Sequence, residues 1–241
     1  MSLAEKSALV LGAGGLGSPA LLVLASAGVG RLVLVDGRAV EAVDLSRQPL
    51  FGEADVGERR AVAAARRLSG LFPAARVEAL DRTLDAASAA EWARSADVIV
   101  DALDDFVEKF WANDAAVGSG RPLVHGGVLR YTAQLLTVVP GATGCLRCLF
   151  EEPPPPGSVP TCAEAGVLAP LAGFAGALLG AEAVRILRGE SGTYAGRLLF
   201  YESRRARPHT VPVRIRESCP ACRAASAARP SGAASPQSRN E

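Results

Sequence analysis

The segment that most constrains this chain is Ala8–Gly17. Four apolar residues, Ala-Leu-Val-Leu, run directly into Gly12-Ala-Gly14-Gly15-Leu-Gly17. A short strand that ends on glycines and continues into a helix is the unit that brings backbone up to a phosphate. Gly12 permits the tight turn, Gly14 and Gly15 keep side chains out of the loop, and Gly17 lets the helix pack on the strand. The helix N-terminus then offers free N–H groups and the positive end of its dipole. Asp36 ends the next apolar run, Arg31–Asp36, where it can accept hydrogen bonds from ribose hydroxyls. The pattern identifies a nucleotide site and leaves NAD and ATP both open.

Further apolar runs at Arg76–Leu80, Asp97–Leu103 and Pro122–His125 alternate with Ala-rich helical stretches at 16–27, 57–70, 85–94 and 104–118. Strands and helices alternating at this length predict an α/β, Rossmann-like, doubly wound and mostly parallel sheet. After residue 125 the rhythm changes. Gln134–Val139, Arg197–Tyr201 and Val211–Arg216 read as strands without crossover helices, which predicts an antiparallel extension of the same sheet. Glu151–Pro160 is a Pro-rich loop. Residues 1–223 therefore read as a single domain, and 224–241 as a disordered tail by composition.

Charge narrows the function classes. Lys plus Arg is 26 against 25 Asp plus Glu, so the formal charge is +1. A protein that coats nucleic acid needs a basic excess, and this chain has none. Of those cations 24 are Arg and only two, Lys6 and Lys109, are Lys. The opening residues show no charged segment followed by an apolar one, and the expected location is cytoplasmic. The uncharged stretch 165–181 is full of Gly and Ala and reads as a buried helix packed through Gly173, Gly176 and Gly180, not as a membrane span.

Five cysteines remain to be explained. Cys145-Leu-Arg-Cys148 and Cys219-Pro-Ala-Cys222 are two CxxC knuckles, which together could present four thiolates to one structural zinc ion. A redox dithiol and independent buried thiols are the competing readings. Cys162 precedes the apolar helix, where a dipole could lower its pKa, or where it could simply pack.

Four stretches together resemble the ThiF/HesA/MoeB family, ATP-dependent activators of ubiquitin-like sulfur-carrier proteins. They are GAGGLG (12–17) with VD (35–36), DLSRQ (44–48), DALDD (101–105) and TCAEAGVLAP (161–170) between the CxxC pairs. The resemblance implies an adenylyltransferase with ATP over the glycine loop and Asp36 on the ribose. It places Asp44, Arg47 and Arg60 at the polyphosphate and Asp104 on Mg²⁺. It makes Cys162 an acceptor of an acyl or persulfide linkage, with 151–160 as a mobile crossover loop. The implied partner is a small ubiquitin-fold carrier of the ThiS or MoaD type ending in Gly-Gly. A sulfur donor (a cysteine desulfurase or rhodanese) would act next.

The resemblance also implies a homodimer, for which 165–181 is one candidate interface; nucleic acid and membrane are not expected as partners. The family usually has Asn at Asp44 and Asp105, Lys at Arg60 and Arg at Lys109. A nucleotide- and zinc-binding scaffold that binds a ubiquitin-fold partner without turnover is the second reading.

Overall fold

The computed structural model describes residues 2–227. Its parallel half consists of β1 (Ser7–Leu11), β2 (Arg31–Val35), β3 (Arg76–Leu80), β4 (Val98–Asp101) and β5 (Leu123–Leu129). The helices between them are α1 (Gly17–Ser26), α2 (Arg60–Leu71), α3 (Ala86–Ala93) and α4 (Phe106–Ser119). One eight-stranded sheet results, ordered β3-β2-β1-β4-β5 and then, antiparallel, β6 (Thr132–Val138), β7 (Arg197–Glu202) and β8 (Arg207–Pro212). This is the expected α/β sheet with its antiparallel extension. The strand order reverses between β1 and β4, so the crossovers on the two sides lead away from one another and open a crevice at the strand ends.

Each sheet face has its own apolar layer. On one face α1, α2 and the long helix α7 (Ala169–Leu187) cover Val10, Leu34 and Val100. On the other, α3 and α4 cover Leu9, Val33 and Ile99, and this layer continues to Cys145 and Cys219. α7 satisfies length and apolarity criteria for a membrane span, but more than half of it is buried within the fold. It packs on α1 through Gly176 and Gly180: a methyl group there would sit 2.3 Å from the Leu16 carbonyl oxygen and 2.8 Å from Val23 Cβ, respectively. Gly173, expected to share that role, has open space around it. The Ala/Gly face is thus largely consumed inside the chain.

Three boundaries differ from expectation. The last strand is Arg207–Pro212 rather than Val211–Arg216, because its register is set by a hairpin on β7 that ends with Arg197 opposite Pro212. All six of its residues are exposed, so no hydrophobic alternation marked it. The apolar helix starts at Ala169, after a separate four-residue turn α6 (Cys162–Ala165). Finally, α8 (Pro220–Ala227) runs past residue 223, where the folded domain was expected to stop; the remainder of the expected tail, 228–241, lies outside the described residues.

Gly17 approaches backbone so closely that an added Cβ would lie 1.8 Å from the Gly12 carbonyl oxygen, an approach matched at Gly30 against the Ala4 carbonyl oxygen. Gly17→Ala is therefore expected to lower unfolding free energy by about 3 kcal/mol in urea titrations. Gly118→Ala, in open space on α4, should be neutral or stabilising by at most about 1 kcal/mol.

Candidate active site

A cleft of about 900 Å³ opens at the carboxyl ends of β1 and β4. That volume lies in the upper range for small-molecule sites. Gly12 leaves β1 at φ +93°, so close to β4 that a Cβ would lie 2.8 Å from the Ala102 carbonyl oxygen. A Cβ on Gly14 would meet only Gln48 Nε2 within 4 Å, at 3.9 Å. The loop backbone is therefore bare on its cleft side, as phosphate approach requires. Asp36, at the end of β2, accepts from Ala13 N at 2.8 Å and Arg38 N at 2.9 Å. The acid and the glycine loop are thereby held as one unit.

The second wall comes from the short 3₁₀ turn Ala42–Ser46 and the start of α2. Asp44 does not face the cleft. It is buried and accepts from Glu41 N at 3.1 Å, from Arg47 Nη2 at 2.9 Å and from Arg60 Nη2. A carboxylate at this position holds two guanidinium groups at the cleft edge, so it adds no repulsion toward a bound phosphate. Arg47 and Arg60 do line the cleft. Gln48 Oε1 and Arg60 Nε are buried there without a hydrogen-bond partner. Buried polar atoms without a partner are costly to the fold. Gln48 was visible only as part of the DLSRQ motif and was not singled out from sequence.

The third wall is α4. Asp104 precedes it and pairs with Arg38 across the cleft. Burial works against the charge on Asp104, but the Arg38 hydrogen bond and charge, helped by Lys109, hold its carboxyl below the usual range. Asp105 caps α4 by accepting from Glu108 N at 2.9 Å, a job Asn and Asp do equally well. Glu108 is raised to about 7, chiefly by burial and then by Asp105 and Asp104. Lys109 is buried beneath them, donating to Gly126 O at 2.6 Å and Asp101 Oδ1 at 3.2 Å. His125 Nδ1 lies 2.6 Å from Asp101 Oδ2; burial keeps this imidazole below its ordinary pKa despite Asp101. Lys109 was legible from sequence as a family Arg position; Arg38, Glu108 and the joining of Lys109 to Asp101 and His125 came from the tertiary structure.

Cys162 also lines the cleft, its Sγ 3.3 Å from the Val128 carbonyl oxygen. The expected dipole effect fails on two counts. The helix it starts is a single turn, and burial, reinforced by the negative charge of Asp104, pushes the thiol pKa up rather than down. The Pro-rich segment crosses the opening, with Glu152, Pro154, Val159 and Pro160 in its lining. The Gly loop, Asp36, Arg47, Arg60, Asp104 and Cys162 thus meet in one cleft, and Asp44 stands behind it.

The four knuckle cysteines meet elsewhere. Their Sγ atoms lie within 4.8 Å of one another, with neighbouring separations of 3.6–3.9 Å. Tetrahedral thiolate coordination at about 2.3 Å requires sulfur–sulfur distances of about 3.8 Å. Arg216 N donates to Cys148 Sγ at 3.4 Å, a contact suited to a metal-bound thiolate. The donor set therefore fits a metal ion. Asn113 Oδ1 accepts from Leu146 N at 2.8 Å, and Asp114 grips Arg147, so this cluster is attached to α4.

Residues 1–224 match the family model described as the ThiF family. A "Sulfur carrier protein adenylyltransferase" of Thermus thermophilus is 44% identical over 225 residues, covering 91% of this chain and 83% of the relative. A "SAMP-activating enzyme E1" of Haloferax volcanii is 42% identical over 214 residues, covering 89% and 79%. Among solved structures, E. coli MccB with ATP superimposes with a TM-score of 0.81 at 23% identity, covering 91% of this chain and 67% of that one.

A carboxyl whose pKa is raised by folding favours the folded state only while protonated. The contribution of Glu108 is complete below its unfolded value near 4.5 and disappears as pH rises through about 7. Glu108→Gln should therefore melt like the wild type near about pH 4 and at a higher temperature than the wild type near about pH 8, checked by calorimetry at both.

Proposed function

The chain belongs to the ThiF family and is an adenylyltransferase, and from this premise we propose that it adenylylates the C-terminal glycine carboxylate of a small ubiquitin-fold sulfur carrier. The observation that carries this reading is the single cleft that gathers the bare glycine loop, Asp36, Arg47, Arg60, Asp104 and Cys162. Adenine and ribose would lie toward Asp36, and the phosphates toward the glycine backbone and the two arginines. A carboxylate oxygen of the carrier's terminal glycine attacks the α-phosphorus, the bond to the β-phosphate oxygen breaks, and pyrophosphate leaves. The protein's part is positioning and electrostatic, as in other phosphorus-centred transfers.

Arg47 and Arg60 bring positive charge to the cleft wall, and Asp44 holds both guanidinium groups there. Asp104 would hold Mg²⁺, with Asp105 and Glu108 beside it; the ion, when bound, offsets negative charge on the polyphosphate. The Pro-rich segment contributes Glu152, Pro154, Val159 and Pro160 to the cleft lining, where a Gly-Gly terminus without side chains would need the least room. A ThiS- or MoaD-type carrier fits these requirements. In a later step the Cys162 sulfur would take the acyl group from the adenylate, releasing AMP, or the outer sulfur of a donor enzyme's persulfide, leaving the donor thiol. The raised pKa of Cys162 then calls for deprotonation on carrier docking.

Carrier-dependent exchange of labelled pyrophosphate into ATP tests this function. The wild type should exchange, Asp104→Ala should fall at least about 100-fold, and Cys162→Ala should retain exchange. ATP binding without exchange, with carriers ending in Gly-Gly, would instead support the non-catalytic scaffold.

The four-cysteine cluster is proposed to hold one structural zinc ion, whose bonds tie the start of α5 (Leu146–Leu149) to the start of α8. Metal analysis should find about one zinc per chain. Cys145→Ser and Cys219→Ser should each lose the ion together with thermal stability.

A further inference from the structure

The cations around the cleft are not equivalent. Arg60 gives Nη2 to Asp44 and lies 4.0 Å from Asp36 through Nη1. Arg47 donates to Val43 O and Asp44, and Lys109 to Asp101 and Gly126 O. Arg82, Arg130 and Arg204 line the cleft as well, but among the described residues Arg38 is the cation paired with Asp104. The Arg38 side chain is 54% exposed, and among the described residues it has one hydrogen-bonded partner, Asp104, reached by Nη2. Its remaining N–H groups face the cleft opening or solvent.

The root of that side chain is firmly held. Arg38 N donates to Asp36 Oδ1 at 2.9 Å, and Arg38 O accepts from Arg60 N at 2.8 Å. Its backbone is thus locked between the residues placed at the ribose and the polyphosphate, while its tip spans from the end of β2 to the residue that precedes α4. A long, flexible side chain on a rigid root can change partners without moving the backbone. Both available partners, a carboxylate and a phosphate, accept the guanidinium fork.

We propose that Arg38 is a phosphate-binding residue that exchanges partners. Before nucleotide enters, it neutralises Asp104; with nucleotide in the cleft, it turns to a phosphate oxygen and releases Asp104 to a divalent cation. The inference rests on the nucleotide reading of this cleft. Asp104 is never left as an unpaired, partly buried charge in either state, which would otherwise be costly beside Asp105 and Glu108. Charge is conserved in the exchange: one ion pair is replaced by an arginine–phosphate pair and a carboxylate–cation pair. The cleft therefore carries its own counter-cation for phosphate, and nucleotide binding should survive removal of divalent ions better than it would without Arg38.

The test is calorimetric titration of a non-hydrolysable ATP analogue into the full chain, in Mg²⁺ and in EDTA, for wild type, Arg38→Gln and Arg38→Lys. Binding of Mn²⁺ alone is followed in parallel by electron paramagnetic resonance. Arg38→Gln should weaken analogue binding about tenfold in EDTA and by less in Mg²⁺, and Arg38→Lys should recover part of the loss. Mn²⁺ alone should bind Arg38→Gln more tightly than the wild type, because Asp104 is then without its arginine. A purely structural role for Arg38 would move neither the Mg²⁺ dependence nor the Mn²⁺ affinity. Wild type and Arg38→Gln agreeing within about twofold in EDTA, or equal Mn²⁺ affinities, would overturn the inference while leaving nucleotide binding intact. A wild type that binds no analogue in Mg²⁺ would overturn the nucleotide reading and this inference together.

Discussion

The contact between Gly17 and the Gly12 carbonyl oxygen decides where everything else in this molecule goes. Without a side chain at 17, α1 seats directly on the end of β1, and the turn between them swings under the start of the loop after β4. That closeness brings the N-terminus of α1 to the point where strand order reverses, so its free N–H groups open into the crevice rather than onto a covered face. α7 then completes the layer, seated on α1 by Gly176 and Gly180. The cleft is a consequence of backbone approach on one side and of diverging crossovers on the other.

Around that cleft, buried carboxylates act through the cations they hold. Asp44 lies under the cations Arg47 and Arg60, and Asp101 under Lys109, with the His125 imidazole as a second hydrogen-bonding partner. Each buried charge has more than one partner, the condition under which ionic groups can persist in a folded interior. The result is a two-level arrangement: fixed pairs below, and at the surface of the cleft the more exposed Arg38–Asp104 pair. The cysteine cluster extends the same logic, since Asn113 and Asp114 fasten it to the helix whose first turn carries Asp105 and Glu108.

Local pattern was a good guide wherever a residue acts through its own backbone neighbours. β1 to β4 and their helices are marked by apolar period and by glycine position, and the paired CxxC knuckles by their internal spacing. It was a poor guide where partners lie far apart in the chain. Asp44 appears from sequence as an extra negative charge at the phosphates, yet 16 residues later Arg60 turns it into a support. β8 has no buried face, so its limits follow from the register of β7 alone. Cys162 precedes a helix, which left activation and simple packing both open; the helix is one turn, and burial raises the thiol pKa.

The sheet class and the glycine loop were legible from short-range rules: strand period and the absence of Cβ atoms at Gly12 and Gly17. The family was legible from the resemblance of four motifs, and the two cysteine knuckles from their internal spacing, which left their joining open. Tertiary structure alone decided which charges face the cleft and which stand behind it. It brought Arg38 onto Asp104 across 66 positions of chain and placed Glu108 where burial and two neighbouring carboxylates raise it to about 7. The physical reason is that a charge's role depends on its partner and its exposure, and both are properties of three-dimensional proximity rather than of chain order.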